Sequence, residues 1–319
     1  MQTLATTTTS NAPSFAATAE LDEILERMQA GQIESALRDL FETLRARCTT
    51  EPESWPQYAR ACLAHPVCSL LYQDPFTYRA FSKPRGYAGD AVMMDYIYGL
   101  GETEKALAET TPLGRAIFEY LDAGSAAKAA VRHRRRLLAG FLDRTAGRGG
   151  KRVLAIASGH LREVELSQAV QTGAFEEFVA LDQDEASLAV VAQDYAHLGI
   201  QAVPGSVRQI LAGKQNPGTF DFVYAAGLFD YLNTSAAAPL TCRMFAMVRP
   251  GGLLLIPNFL ASVRDRGYME AIMDWHLIYR DHAEMQELAA ALPTAEVAGY
   301  EIFDDHEDAI TYLLVAKNE

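Results

Sequence analysis

Asp182 closes the apolar run Phe178, Val179, Ala180 and Leu181. It stands roughly 20 residues beyond the turn Ser158-Gly159, which closes an earlier run, Val153, Leu154, Ala155 and Ile156. Runs without polar alternation suit strands buried on both faces of a parallel sheet. A carboxylate ending the second such strand can accept bonds from two vicinal hydroxyls, which is how a βαβ unit holds the ribose of a nucleotide. Capping the next helix is the competing use of the same aspartate. Arg162 and Glu163 open a helical pattern, 163–169, between the two runs. His160 sits in the turn itself, and its setting fits a surface residue as well as a ligand contact.

Two further stretches hold chemically capable side chains. The segment 74–99 packs Arg79, Lys83, Arg85, Asp90 and Asp95 among aromatic residues, punctuated by Pro84, Gly86 and Gly89. An irregular loop of this size is costly to order unless it covers something. In 273–280 the spacing predicts a helix with Trp275 and Tyr279 on one face and His276 and Arg280 on the next. Asn258, just after Pro257, falls at the carboxyl end of an expected strand, where α/β sheets place ligand groups. The basic run Arg132, His133, Arg134, Arg135 and Arg136 reads as a solvated helix face, because Leu137, Leu138 and Phe141 continue the helix behind it.

These positions need elements to hold them. Apolar periodicity predicts helices over 21–48, interrupted at Gly31, over 55–71 and over 111–142, followed by a glycine-rich linker at 145–150. Strands are then expected at 201–204, 220–225, 253–256, 297–303 and 309–316, and helices at 186–198, 208–212, 236–247, 268–279 and 284–292. Alternating strands and helices predict an α/β doubly wound sheet preceded by a helical domain. The organisation is a leader at 1–18, a helical cap at 19–144 carrying a lid loop at 74–99, and a sheet domain at 151–319.

With 319 residues, 49% of them hydrophobic, the chain can fill a substantial core. A net charge of -13 argues against binding to a nucleic-acid backbone. Cys48, Cys62, Cys68 and Cys242 show no paired or histidine-linked spacing, so neither zinc nor a disulfide framework is suggested and a reducing cytoplasm fits. No apolar run approaches the roughly 18 residues needed to span a bilayer. The leader lacks the basic start and apolar core of a signal peptide.

Together, 153–159, Asp182, Pro204-Gly205-Ser206-Val207, 220–231 and the turn before Leu253 resemble the class I S-adenosylmethionine-dependent methyltransferases. The resemblance covers about half the chain and implies a Rossmann-like, seven-stranded sheet whose last two strands form an antiparallel hairpin. The helical half, with Lys83-Pro84-Arg85-Gly86-Tyr87-Ala88-Gly89-Asp90, is similar to a bacterial subgroup associated with 3-hydroxypalmitic acid methyl ester biosynthesis, and to related enzymes that cyclise S-adenosylmethionine to azetidine-2-carboxylate. It implies a role in bacterial secondary or signalling metabolism. The family's usual acid and three alternating glycines are replaced by Ala155, Ala157, Gly159 and Leu161, so one glycine remains.

By the resemblance, Ser158, Gly159 and Arg162 adjoin the cofactor and Glu163 holds its ammonium. Asp182 and Gln183 bind the ribose, Ser206 and Val207 meet the adenine, and Ala225, Ala226 and Gly227 line the sulfonium side. Ser206 also fits an ordinary turn. Tyr87, Tyr96 and Tyr98, with Arg85 and Asp90, are expected to form an aromatic lid over the sulfonium, since a cation without a donor is held by π faces and carboxylates. The alternative is that these tyrosines join a helical cap to the sheet. A carboxylate acceptor needs no base. An amine or phenol does, and His276, Asp230 and Tyr279 are candidates, Trp275 and Tyr279 otherwise serving in packing. The resulting expectation is methyl transfer to a small carboxylate or hydroxyl substrate. Cyclisation of S-adenosylmethionine with release of methylthioadenosine is one alternative, and a catalytically silent binding subunit is another. The expected partner is a small molecule, with no metal, nucleic acid or membrane, and the oligomeric state, a homodimer included, stays open.

Overall fold

A computed structural model describes residues 19–319, and the expected leader lies outside them. Helices follow one another from Ala19–Gln29 to the long helix Ala126–Gly147. The strands then are β1 (Arg152–Ile156), β2 (Glu177–Asp182), β3 (Ile200–Pro204), β4 (Phe220–Tyr224), β5 (Val248–Phe259), β6 (Val297–Asp304) and β7 (Ile310–Lys317). They form one sheet in the order β3-β2-β1-β4-β5-β7-β6. Neighbours from β3 to β5 are parallel, while β7 runs antiparallel to both β5 and β6. The chain runs outward from β1 to β3, then returns to place β4 on the other side of β1. That reversal opens a crevice at the carboxyl ends of the central strands, where open α/β sheets bind ligands.

Strand alternation divides the core between the two faces. Val153, Ala155, Phe178, Ala180, Phe222 and Tyr224 join the buried side chains of the helical half in one cluster. Leu154, Ile156, Val179, Leu181 and Val223 join those of Thr234–Ala246 and His282–Ala290 in a second. The helical half therefore covers one face of the sheet directly, and the crevice lies along the seam.

Several helices are shorter than periodicity predicts. The first divides into Ala19–Gln29 and Ile33–Thr50 at Gly31, whose φ of 81° an L side chain adopts only under strain. Pro66 separates Trp55–Leu63 from Val67–Leu71. The segment 74–99 is mostly helix, not loop: Asp74 caps Pro75–Ser82 and Asp90 caps Ala91–Tyr98, which leaves 83–90 irregular. Instead of a helix at 163–169, a 3-10 turn, Arg162–Leu166, precedes Gln168–Gln171, recapped by Ser167. The helix expected at 268–279 spans Arg266–Ala271 and gives way to an irregular segment, with Asp274 in a left-handed turn at φ 48°. Trp275 and Tyr279 consequently do not share a helix face.

Candidate functional site

The turn after β1 keeps a glycine-type backbone with one glycine. Ala157, Gly159 and Leu161 have φ of 52°, 54° and 54°, all left-handed. For a non-glycine residue this costs roughly 1–2 kcal/mol, and such strain concentrates at functional sites. Burial of Leu161, 1% exposed, offsets the cost at its position. A Cβ at Gly159 would meet the Ala91 Cβ at 3.3 Å, so the cap helix closes tightly on the turn.

Asp182, at the end of β2, accepts from the Gly159 N–H at 2.7 Å through Oδ2 and from the Asp184 N–H at 2.9 Å through Oδ1. Each oxygen retains accepting capacity for a hydroxyl donor. The cap of the following helix is Asp184, not Asp182. Around this point lies a cavity of ≈ 340 Å³, bounded by the carboxyl ends of β1, β2 and β4 and by the helical half. Its size falls within the range of small-molecule sites.

On the sheet side, Ser158, Gly159, Arg162, Glu163, Asp182 and Gln183 all line the cavity, as do Ser206 and Val207 after β3 and Ala226 and Gly227 after β4. Glu163 accepts from the Tyr224 hydroxyl at 2.7 Å, and burial raises its carboxyl above the ordinary value against that bond. Ser206 caps Val207–Leu211 in a capping box with Gln209, so its hydroxyl has a structural use as well. Arg162 is largely engaged: it donates to Asp95 at 2.9 and 3.0 Å, to Asp194 at 2.7 Å and to the Tyr195 hydroxyl at 2.9 Å.

The helical side supplies aromatic faces and a cation. Tyr87 and Tyr98 line the cavity with Tyr231 and Trp275. Tyr87 meets Tyr231 edge-on at 6.1 Å, and Trp275 Nε1 donates to the Tyr231 hydroxyl at 2.9 Å. A Cβ on Gly89 would lie 2.4 Å from that hydroxyl and 2.7 Å from the Trp275 ring, so only glycine lets the 83–90 loop reach them. Burial pushes the Tyr87 hydroxyl up to about 12. Asp230, also on the wall, accepts from the Phe259 N–H at 2.7 Å, and burial pushes its carboxyl up to about 6.

The principal residue that sequence reasoning misplaced is Arg134. Within the run 132–136 only Arg136 is exposed, so it is not the solvated face expected. Arg132 binds the Ile97 carbonyl and Asp122, Arg135 binds the Arg162 carbonyl and Glu165, and Arg134 is 4% exposed and lines the cavity. Its hydrogen-bond contact is the Met94 Sδ at 3.8 Å, and it forms no carboxylate ion pair among the described residues. Spacing carried the signal: Ala130, Val131, Arg134, Leu138 and Phe141 recur at helical intervals, which puts Arg134 on the buried stripe.

Other expected site residues lie elsewhere. Arg85 pairs with Asp184 at 2.8 Å and docks the 83–90 loop, and Asp90, fully buried, caps its helix while accepting from Arg79. Neither lines the cavity, nor do buried Tyr96 and Ala225. Asn258 is a buried strut, donating to the Ile278 carbonyl at 2.9 Å and accepting from Arg280 at 2.6 Å. Without the expected helix, His276 turns outward to Asp274 and Tyr279 packs under the Arg266 guanidinium at 4.7 Å. Among the base candidates, Asp230 alone reaches the cavity.

No protein-family model matches the sequence, and no curated protein matches it. Among solved structures, a possible exported protein from Bordetella parapertussis is similar over 82% of this chain and 97% of its own, with 16% identity and a TM-score of 0.52. The S-adenosylmethionine-dependent methyltransferase SibL, in its apo form, is 15% identical over 76% of this chain and 70% of its own, with a TM-score of 0.47. Magnesium protoporphyrin IX methyltransferase from Synechocystis PCC 6803, with bound S-adenosylhomocysteine, is 11% identical over 77% of this chain and 100% of its own, with a TM-score of 0.49. No helix among the described residues is long and apolar enough to cross a membrane. With five parallel strands, the switch at β1 and β4 and the antiparallel β5-β7-β6 end, the chain has the Rossmann-like fold of the class I methyltransferases.

Proposed function

We propose that the cavity binds S-adenosylmethionine and that the chain is a methyltransferase acting on a small carboxylate or hydroxyl acceptor. The observation that carries this reading is one cavity presenting three complementary groups: the Asp182 carboxylate, the buried Glu163 carboxyl and the Arg134 guanidinium without a carboxylate partner. A permanently charged guanidinium is costly to bury unpaired, so its place on a cavity wall suits an anionic ligand group. Arg134 would hold the carboxylate of the amino-acid moiety and Glu163 its ammonium. Asp182 and Gln183 would take the ribose hydroxyls, and the 205–207 turn would meet the adenine. Tyr87, Tyr98, Tyr231 and Trp275 offer π faces to a sulfonium, which has no hydrogen-bond donor to satisfy.

When bound, S-adenosylmethionine supplies an electrophilic methyl group. The chain aligns an acceptor and excludes water, which is most of what such a displacement requires. The helical half would act as the substrate cap, with the 83–90 loop pinned by Arg85 to Asp184 and by Gly89 against Tyr231 and Trp275.

Calorimetry with S-adenosylmethionine, followed by product analysis with and without candidate acceptors, tests the reading. Binding, with S-adenosylhomocysteine formed on adding an acceptor, is the expected result. Methylthioadenosine and azetidine-2-carboxylate from S-adenosylmethionine alone would establish cyclisation instead. Binding without turnover would leave a silent subunit, and no binding would overturn the proposal.

A further inference from the structure

His160 has a setting that its place in the turn did not announce. It is 5% exposed and among the cavity-lining residues. Its Nδ1 lies 2.9 Å from Asp95 Oδ2, and its Nε2 is buried without a hydrogen-bond partner among the described residues. Asp95 comes from the cap helix Ala91–Tyr98, is 3% exposed, and is also gripped by Arg162 through Nε and Nη2. Burial alone would raise the Asp95 carboxyl, but the bonds from His160 and Arg162 outweigh it and hold the group below its ordinary value. An ionised carboxylate only accepts, so Nδ1 must carry a proton and Nε2 of the neutral ring must carry the free lone pair.

We propose that Asp95 and His160 form a proton-accepting pair at the cavity, serving a substrate whose reacting group is a hydroxyl rather than a carboxylate. The step is a proton transfer. The Nε2 lone pair takes the proton of a bound O–H group, that oxygen keeps the bonding pair, and the resulting imidazolium is stabilised by Asp95. Reopening to solvent returns the proton to water. His160 is the proton acceptor and Asp95 its positioning residue.

Asp230 is the competing base on the same wall: burial raises its carboxyl to about 6, although the Phe259 N–H and the positive charges of Arg134 and Arg280 oppose that rise. Turnover retained in H160Q would assign the proton to Asp230 instead. The charged groups about the pair are Arg162, with Glu165 and Asp194 bound to it, and on the other cavity walls Arg134, Glu163 and Asp182.

This inference deepens the proposed methyltransferase reading and rests on its cavity. The test uses the full chain labelled with 15N, recording two-bond histidine ring spectra from pH 5 to 9, with S-adenosylhomocysteine as the probe ligand and H160Q for assignment. A neutral ring protonated at Nδ1, with Nε2 free and responsive to the probe, is expected, and D95N should mix or invert the tautomers. A ring protonated at Nε2, or charged throughout, would overturn the pair. In whichever product assay turns over, H160Q should lower kcat about 100-fold. S-adenosylmethionine affinity by calorimetry should stay within about threefold, because His160 is assigned to the proton and not to holding that ligand. Turnover within threefold of wild type, or affinity lost in step with turnover, would overturn the inference. Failure of the wild type to bind S-adenosylmethionine would fall on the methyltransferase reading, while the ring spectra would still judge the pair.

Discussion

The two sides of the cavity are built on different principles. The sheet side is a matter of backbone: 157–163 and Asp182 lie at the ends of adjacent parallel strands, in register Ile156 to Leu181, and the path of the chain puts them together. The helical side is a matter of side chains: Tyr87, Tyr98 and Arg134 arrive from three separate segments and meet Trp275, from beyond β5, only in the fold. A backbone site tolerates substitution, as Ala157 and Leu161 show by keeping left-handed conformations without glycine. A side-chain site depends on each residue reaching the seam, and a segment that folds differently loses its contribution, as His276 and Tyr279 show.

That contrast orders the expected effects. R134M should be the most damaging to ligand affinity. Methionine preserves much of the apolar stem, while loss of a charge-assisted bond of about 2–3 kcal/mol lowers S-adenosylmethionine affinity about 30- to 150-fold by calorimetry. Unchanged affinity would remove the guanidinium from the ligand site.

N258A should separate folding from binding. Removing the strut takes from the buried Arg280 its one side-chain acceptor, leaving it the Phe229 and Leu232 carbonyls, and costs about 2 kcal/mol in chemical denaturation. Affinity per folded molecule should change little, because Asn258 does not line the cavity. A selective loss of affinity would restore Asn258 to the site.

D230N probes burial on the same seam. The Asp230 carboxyl is raised in the folded chain from an ordinary value near 4 to about 6, so the folded state binds this proton more tightly than the unfolded state. Its stabilising contribution is greatest below about pH 4 and is lost as pH rises through about 6. Thermal melts from pH 4 to 7 should show the variant gaining on wild type with rising pH, and a constant difference would contradict the assignment.

A157G should produce the smallest change. Relief of left-handed strain, offset by greater freedom in the unfolded chain, gives a net stabilisation of at most about 1 kcal/mol, seen as a small rise in melting temperature. L161G should instead destabilise, since a buried leucine contributes about 2 kcal/mol or more and outweighs the strain relieved. Stabilisation by both would mean that the turn, not packing around Leu161, limits stability.

Much of the sheet and its order of elements was legible, because unbroken apolar runs and the turns between them are local signals. Helix limits were less so: the caps at Asp74 and Asp90 were written in the sequence, but the charged and aromatic residues around them pointed more strongly to a loop. Periodicity around Arg134 was equally visible, yet a run of five basic residues reads first as a surface. Whether such a residue faces water or a cavity depends on what packs over it.

By itself the sequence determined the alternation of strands and helices, the place of Asp182 at a strand end and the turn that precedes it, because all three follow from local conformational preference and from which side chains avoid water. Only the tertiary structure decided that Arg134 lines the cavity without an ion pair among the described residues, that Asp95 reaches His160 from the cap, and that Asn258 and Arg280 brace the fold instead of the site. Those outcomes depend on contacts between segments far apart in the chain, where desolvation and the availability of a partner outweigh any preference the residue has alone.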